Sequence, residues 1–303
     1  MGHDHTDRSA GAVKRLALVL AITSVVLVVE IIGAAVSGSL ALLADAGHML
    51  TDVAGLTLAL VAASLVRRPA TPERTWGFLR AEVVGAAAQA AVLLAVGVYI
   101  VVEAVRRLVD PPEVDAGAMI VFGAIGLAAN LAGLALLAKG RSENLTMRAA
   151  FLEVAADALG SVAVLVAAAT IALSGWQRAD GVASLLIGAL IIPRTLRLLR
   201  ETVDVLLEAT PRGLDLGQVR EHILAVPHVR SVHDLHASQV ATGLPVLTAH
   251  VVVDDSCFSD GRLPALLDEL QFCVAGHFGV SVEHSTFQFE TDGHVDHEHP
   301  SHP

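Results

Sequence analysis

The sequence predicts an α-helical membrane protein: a bundle of six transmembrane helices followed by a small α+β domain. Long apolar runs, each near the ~20 residues that cross a bilayer, fill the first two-thirds of the chain. Beyond Glu208 the pattern changes to short helical and strand-like segments. The 303 residues are 54% hydrophobic and only 17% charged, with a mean hydropathy of +0.63. A soluble domain is typically about one-quarter charged, so this composition argues against a single water-soluble enzyme.

The six apolar runs are rich in Ala, Leu and Val, with scattered Gly, and small residues allow helices to pack closely in lipid. The first follows Lys14 and exceeds the ~7–15 apolar residues of a signal peptide, which indicates an uncleaved span. Pro193 and Arg194 interrupt the last. Counting places Asp157 near the end of its span, so the fifth helix is expected to begin earlier, near Leu145. The predicted spans are 16–36, 40–66, 81–109, 116–138, 149–174 and 179 to about 196.

Lys and Arg concentrate on one side of the predicted bundle, the side that carries both termini. The opposite side holds only Arg106, Arg107 and Arg178. Because positive charge favours the cytoplasmic side, both termini are predicted to be cytoplasmic. We therefore expect a multi-pass protein of the cell inner membrane.

The C-terminal segment predicts the element order αββαβ in about 80 residues, enough for a modest core. The predicted helices are 214–226 and 262–278, and the predicted strands are 229–240, 245–254 and 282–290. The chain then divides into an N-terminal tail, a transmembrane domain, a cytoplasmic domain and a C-terminal tail, at 1–13, 14–207, 208–290 and 291–303.

Charge and cysteine content exclude several function classes. A net charge of −11 would repel phosphates, which argues against a nucleic-acid partner. Cys257 and Cys273 are too few and too unpatterned for a disulfide scaffold or a cysteine-based zinc module. The sequence contains no His-Glu-x-x-His segment, which argues against an intramembrane metalloenzyme.

Two predicted spans contain ionisable residues that a bilayer should exclude. His48 and Asp52 are four residues apart, and Glu153 and Asp157 repeat that spacing. Residues i and i+4 share a helix face, and an Asp at the centre of a span costs roughly 2.5–3.5 kcal/mol. Two such helices packed face to face would present one imidazole and three carboxylates to a common point, a ligand set suited to Zn²⁺ or a similar divalent ion. The alternative is that these groups hydrogen-bond across the bundle.

Other polar residues lie in the predicted spans. Asp45 lies three residues before His48 and is interpreted as an orienting hydrogen-bond partner, or alternatively as a ligand. The remaining groups have no carboxylate or imidazole four residues later and are interpreted as bundle-facing or access-path residues. They are Glu30, Gln89, Glu103 and Asn130.

These residues resemble the cation diffusion facilitator family. Residues 40–52, LALLADAGHMLTD, are similar to its second-helix signature, and residues 157–162, DALGSV, to its fifth-helix signature. The resemblance continues at Trp76-Gly77-Phe78, Arg80, Glu82, Asn130, 206–211 and 232–236. It implies a cytoplasmic metallochaperone-like domain, a homodimer, and export of Zn²⁺ or a related divalent metal in exchange for protons.

By this resemblance His48, Asp52 and Asp157 are metal ligands, and Glu153 stands where the family usually has His, or Asp in some branches. The additional carboxyl group is our candidate to hold a proton when the metal is absent. The harder ligand set also widens the expected selectivity toward Co²⁺, Cd²⁺ or Mn²⁺. The alternatives are a divalent metal exporter of broader specificity and a non-transporting membrane metal sensor.

Histidines also occur outside the predicted spans. His233, His250 and His284 match positions that in the family contribute to cytoplasmic metal sites, and the alternative is that they are ordinary surface or core residues. His236, three residues after His233, is expected on the opposite face of the strand. Two interpretations of the tails are left open: segments that bind metal weakly, or solvated segments without a metal-binding role. Their histidines are His3, His5, His294, His297, His299 and His302.

Overall fold

The structure is a computed structural model that describes residues 4–66, 68–138 and 145–295. Within these ranges the side chains of 4–19, 52, 56, 59, 60, 62–64, 66, 145–150, 153 and 295 lie outside the description. The chain divides into two compact units, Met1–Val61 with Gly85–Leu199 and Ala62–Val84 with Arg200–Pro303. Of the tail histidines, only His294 has a described side chain.

Six long helices account for most of the first two-thirds of the chain. They are α1 (Asp4–Ser37), α2 (Leu40–Val66), α3 (Ala81–Val109), α4 (Ala116–Ala138), α5 (Leu145–Ser174) and α6 (Arg178–Leu206). Within the described residues, all except α2 contain a stretch long and apolar enough to cross a membrane, and α2 is 27 residues long. The start of α5 at Leu145 confirms the expected early start. The predicted end of α6 near 196 was wrong, because the helix continues through Pro193 to Leu206, as membrane helices allow.

Glycines let the helices of the first unit approach closely. A Cβ atom built on Gly33 of α1 would lie 2.5 Å from Cγ of Phe122 on α4, and one on Gly188 of α6 would lie 2.8 Å from Val101 on α3. Side chains at these two positions would push the helices apart. The small residues seen in the sequence therefore set the spacing of the bundle.

The second unit contains the predicted αββαβ arrangement. Its elements are α7 (Leu216–Leu224), β1 (Val229–Ala241), β2 (Leu244–Val253), α8 (Leu263–Gly276), β3 (His284–Glu290) and a short α9 (Asp292–Val295). Asp215 caps α7 by accepting hydrogen bonds from the backbone of Gly217 and Gln218. Gly243, with φ +75°, makes the turn between β1 and β2.

The three strands form one sheet in the order β1-β2-β3, with β1 antiparallel to β2 and β2 parallel to β3. Its apolar face packs against α7 and α8. The core there contains Val219 and Ile223 of α7, Leu247 and Val251 of β2, and Leu270 of α8. The opposite face of the sheet carries the histidines.

A β-bulge changes the expected placement of the histidines on β1. His233 pairs with His250, whereas His236 pairs with Thr248, so two residues of β1, Asp234 and Leu235, oppose Ala249 alone on β2. Asp234 accommodates the extra residue at φ +46°. Because Thr248 and His250 share a face, His233 and His236 share it too. The expectation that these two histidines lie on opposite faces was therefore wrong.

Candidate metal sites

The structure brings one residue of each intramembrane pair together. Nε2 of His48 on α2 lies 3.3 Å from Oδ1 of Asp157 on α5, and both side chains are buried. Two ligands of one metal ion must approach to roughly this distance, since metal–ligand bonds of about 2.0–2.2 Å meet at a tetrahedral centre. An imidazole and a carboxylate thus meet at one buried point between two helices.

The other two predicted ligands lie on the same helices. Asp52 is four residues beyond His48 on α2, and Glu153 is four residues before Asp157 on α5. Their side chains are outside the described residues. Their part in a common site therefore stays a prediction from the spacing.

Asp45 connects α2 to α5 and α4. Its Oδ2 accepts a hydrogen bond from the hydroxyl of Ser161 at 3.3 Å, and Nδ2 of Asn130 donates to the same hydroxyl oxygen at 3.2 Å. All three side chains are buried. This chain of polar groups agrees with the orienting role that the sequence suggested for Asp45, one helical turn from His48.

Two glycines leave room for buried carboxylates. A Cβ atom on Gly160 would lie 2.8 Å from Oδ1 of Asp45, and one on Gly126 would overlap with Oε1 of Glu30. Glu30 is fully buried. A side chain at either position would therefore force the facing carboxylate from α2 or α1 to shift.

The remaining intramembrane polar residues make local structural contacts. Gln89 of α3 donates a hydrogen bond to the backbone carbonyl of Thr51 on α2 at 2.7 Å. Glu103 lies 3.4 Å from Arg107 and 3.5 Å from Arg106 on the same helix. These contacts connect or stabilise helices.

A cavity of about 210 Å³ between α2, α5 and α6 reaches the proposed site. Asp45 and His48 line it from α2, and Arg194 lines it from α6. The rest of the lining is apolar or glycine, contributed by Ala156, Leu159, Gly160, Ile187, Leu190 and Ile191. A few polar groups converging in an apolar cavity are typical of a small-ligand site.

A second cluster lies on the open face of the C-terminal sheet. Oε1 of Glu290 lies 2.8 Å from Nδ1 of His250, and Oε2 lies 3.3 Å from Nε2 of His233. Ligand atoms of His233, Asp234 and His250 lie within 4.8 Å of one another. Two imidazoles with neighbouring carboxylates form an N/O donor set that fits Zn²⁺.

The structure does not bring His284 to this cluster. His284 pairs with Val246, whereas His250 pairs with Gln288, four positions farther along the same two strands. Four positions correspond to about 13 Å. The imidazole of His284 instead packs edge-on against Trp76, with ring centroids 4.9 Å apart.

Comparison with known proteins identifies the family. Residues 16–207 match the family described as "Cation efflux transmembrane domain", and residues 211–281 match "Cation efflux protein, cytoplasmic domain". The chain belongs to the cation diffusion facilitator family. This confirms the resemblance seen in the helix signatures, and with it the fold class of a helical membrane domain followed by an α+β domain.

Relatives within the cation diffusion facilitators cover almost the whole chain. The "Metal cation efflux system protein CzcD" of Cupriavidus metallidurans is 40% identical over 289 residues, 95% of this chain and 90% of the relative. The "Zinc transporter ZitB" of Escherichia coli is 39% identical over 297 residues, 96% and 93% of the two chains. The "Cadmium, cobalt and zinc/H(+)-K(+) antiporter" of Bacillus subtilis is 35% identical over 301 residues, 97% and 93%.

As a cation diffusion facilitator, the protein is a multi-pass membrane transporter that carries divalent metal cations in efflux, and it is not an enzyme. Two residues in contact with candidate site residues were given no role from the sequence: Ser161 contacts Asp45, and Glu290 contacts His233 and His250. Ser161 lies within the fifth-helix signature, and its hydroxyl after Gly160 was the available signal. Glu290 ends β3, and only the strand register reveals its position beside His233.

Proposed function

We propose that this chain exports Zn²⁺ from the cytoplasm in exchange for protons. The proposed transport site consists of His48, Asp52, Glu153 and Asp157. The observation that carries the proposal is the buried 3.3 Å approach of His48 to Asp157 across α2 and α5. Inserting a carboxylate and an imidazole into a membrane bundle costs free energy. Binding of a transported cation explains why the chain has these residues there.

Ligand chemistry supports the proton exchange. Imidazole and carboxylate groups bind metal only when deprotonated, so metal binding releases protons and protons arriving from the other side release the metal. Glu153 is our candidate for the group that holds a proton in the metal-free site. A relative 35% identical to this chain is named "Cadmium, cobalt and zinc/H(+)-K(+) antiporter", a name that agrees with such coupling.

Alternating access completes the proposed cycle. Zn²⁺ enters through the cavity beside Asp45 and His48, displaces protons and binds between α2 and α5. The bundle then opens to the far side, where protons compete for the ligands. Because the metal moves out against its gradient, the inward proton gradient supplies the work. Glu153 in place of the usual His supports Co²⁺, Cd²⁺ or Mn²⁺ as further substrates.

The cytoplasmic cluster is proposed as a regulatory metal site of a homodimer. His233 and His250 are retained from the sequence prediction, and the contacts of Glu290 favour it over His284 as the third ligand.

Domain boundaries at 14–207 and 208–290 are supported by the two family matches. The charge asymmetry of the loops supports cytoplasmic termini and an inner-membrane location.

Transport in vesicles tests the proposal. The full-length chain is reconstituted with dyes for Zn²⁺ and for pH, and we expect Zn²⁺ uptake to be accompanied by proton movement in the opposite direction. His48→Ala should abolish both fluxes, and Glu153→Gln should abolish the proton flux. Glu113→Gln, an exposed carboxylate between α3 and α4, is the matched control and should behave as the original chain.

The outcomes separate the alternatives. Zn²⁺ flux without proton flux in the original chain would contradict antiport and indicate a passive pathway. Metal binding with neither flux would indicate a sensor. Unchanged proton coupling in Glu153→Gln would refute the role of Glu153, while faster transport of Co²⁺, Cd²⁺ or Mn²⁺ than of Zn²⁺ would favour the broader-specificity exporter.

A further inference from the structure

A buried carboxylate from α6 holds the first turn of α2. Oδ1 of Asp180 accepts hydrogen bonds from the hydroxyl of Ser39 at 2.5 Å and from the backbone N–H of Ala41 at 3.1 Å. Oδ2 accepts from the backbone N–H of Leu40 at 2.9 Å. The side chain of Asp180 is only 1% exposed. The carboxylate therefore satisfies groups that a helix start leaves without an intrahelical partner.

Arg107 of α3 completes the same junction. Its Nη1 lies 3.2 Å from Oδ2 of Asp180 and donates a hydrogen bond to the backbone carbonyl of Gly38 at 2.7 Å. A buried carboxylate is tolerated when it is paired and fully hydrogen-bonded. Three segments meet here: the turn before α2, α3 near its end, and α6 near its start.

This cap differs from the other helix caps of the molecule in the origin of its acceptor. Asp215 caps α7 and Asp115 caps α4 from within the same stretch of chain, through the N–H groups of Gly217 and Ala118 for example. Asp180 caps α2 from 140 positions away. A local cap only starts a helix, whereas this one also fixes where the helix starts relative to α3 and α6.

The position of that start determines the position of His48. His48 lies eight residues after Leu40, about 12 Å along a continuous helix at 1.5 Å per residue. A shift of α2 by one residue would turn the imidazole by about 100° and move it by 1.5 Å. Displacements of about 1 Å are enough to weaken a designed or natural ligand constellation.

We propose that Asp180 is a positioning residue of the transport site: by holding the first turn of α2 against α3 and α6, it sets the height and rotation at which His48 faces Asp157. The inference rests on the proposed function of His48. Of the two proposed ligands whose side chains are described, His48 and Asp157, Asp180 contacts neither. It acts through the α2 backbone, and Ser39 and Arg107 are its partners in that role.

Cobalt spectroscopy distinguishes positioning from plain stabilisation. The purified full-length chain is loaded with Co²⁺, whose visible absorption reports coordination geometry, and the part of the absorption that His48→Ala removes belongs to the transport site. We expect Asp180→Asn to lose most of that part and to bind Co²⁺ there on the order of 10–100-fold more weakly, as for other residues that orient metal ligands. The side-chain amide of the variant would replace one acceptor oxygen of Asp180 with an NH₂ donor. This donor would face either the backbone N–H groups of α2 or the guanidinium of Arg107.

Two further variants keep the test decisive. Ser39→Ala removes two hydrogen bonds of the first turn of α2, the one that the hydroxyl donates to Asp180 and the one that it accepts from the N–H of Leu42. It should weaken Co²⁺ binding at the transport site severalfold in a folded protein. Asp115→Asn alters a cap at the start of α4, which carries no proposed ligand, and should leave the absorption unchanged.

The outcomes are separable. If Asp180→Asn or, should that variant not fold, Ser39→Ala lowers the melting temperature while keeping the original absorption and affinity, Asp180 is a structural cap only and the inference is overturned. If His48→Ala itself leaves the absorption unchanged, the proposed transport site fails, whatever Asp180 does.

Discussion

The two candidate metal clusters are built by different kinds of structure. The membrane site takes His48 and Asp157 from two long helices, and both side chains are buried. The cytoplasmic cluster takes His233 and His250 from neighbouring strands, on a sheet face that α7 and α8 leave open, with a buried Glu290 behind them. The carboxylates of the membrane site lie in a lipid environment, where their charge must be neutralised by a metal ion or by protons. The cytoplasmic cluster lies on an open sheet face, where water can replace a released metal ion. We therefore expect the first to control transport and the second to adjust it.

The largest expected effect separates the two clusters by transport rate. Asp157→Asn removes an anionic ligand from the membrane site and should lower the initial rate of Zn²⁺ uptake in vesicles by on the order of 100-fold. Glu290→Gln is the matched change in the cytoplasmic cluster and should keep the rate within about threefold. Equal losses in the two variants would show that the clusters do not have separate roles.

Binding to the cytoplasmic cluster is expected to show a smaller effect. In an Asp157→Asn background, Zn²⁺ should raise the melting temperature of the full chain through this cluster. Glu290→Gln should weaken that binding about tenfold, a loss of about 1.4 kcal/mol of metal-dependent stabilisation at saturation. His284→Ala should leave it unchanged, because His284 lies about 13 Å away along the strands. A large effect of His284→Ala would restore the original ligand prediction.

The contrast between the clusters explains which parts of each site could be predicted from the sequence. The spacing of four between His48 and Asp52 is a local property of one helix, so the sequence shows it directly. The meeting of His233 with Glu290 depends on two strand registers and on the bulge at Asp234. Such long-range pairings leave no signal in residue spacing, and the single extra residue reversed the predicted face of His236.

In the fold, too, local features could be predicted from the sequence and long-range contacts could not. The six predicted spans needed only hydropathy and length, and the αββαβ order followed from local patterns. The continuation of α6 through Pro193 was not predictable, because proline breaks helices in water but is accommodated within a membrane bundle. The capping of α2 by Asp180 was not predictable either, since the two groups are separated by 140 positions.

A glycine on α5 provides a third, smaller effect. Gly160→Ala would place a methyl group 2.8 Å from Oδ1 of Asp45, so that this carboxylate, whose Oδ2 accepts a hydrogen bond from Ser161, must shift. We expect transport to fall severalfold, about tenfold at most, if Asp45 has the orienting role interpreted from the sequence rather than that of a ligand. Gly276→Ala is the matched control at the end of α8, where the added atom meets nothing within 4 Å. It should leave transport unchanged and stabilise its domain by about 0.5–1 kcal/mol; unaltered transport in Gly160→Ala would argue against the role of Asp45.

The smallest expected effect is a pH dependence at the surface of the C-terminal domain. His228 at 2.9 Å and Arg230 at 2.7 Å hydrogen-bond to Asp254 and hold the pKa of that carboxyl below its usual range. A lowered pKa means that the folded state favours the ionised form, so Asp254 contributes stability above its ordinary pKa of about 3.9 and loses that contribution as the pH falls further. Asp254→Asn should therefore lower the melting temperature slightly at pH 7, and this deficit should shrink as the pH falls below about 3.9 toward the lowered pKa. The neighbouring Asp255→Asn is the control, and a deficit in Asp254→Asn that did not shrink with falling pH would show that packing, rather than charge, is responsible.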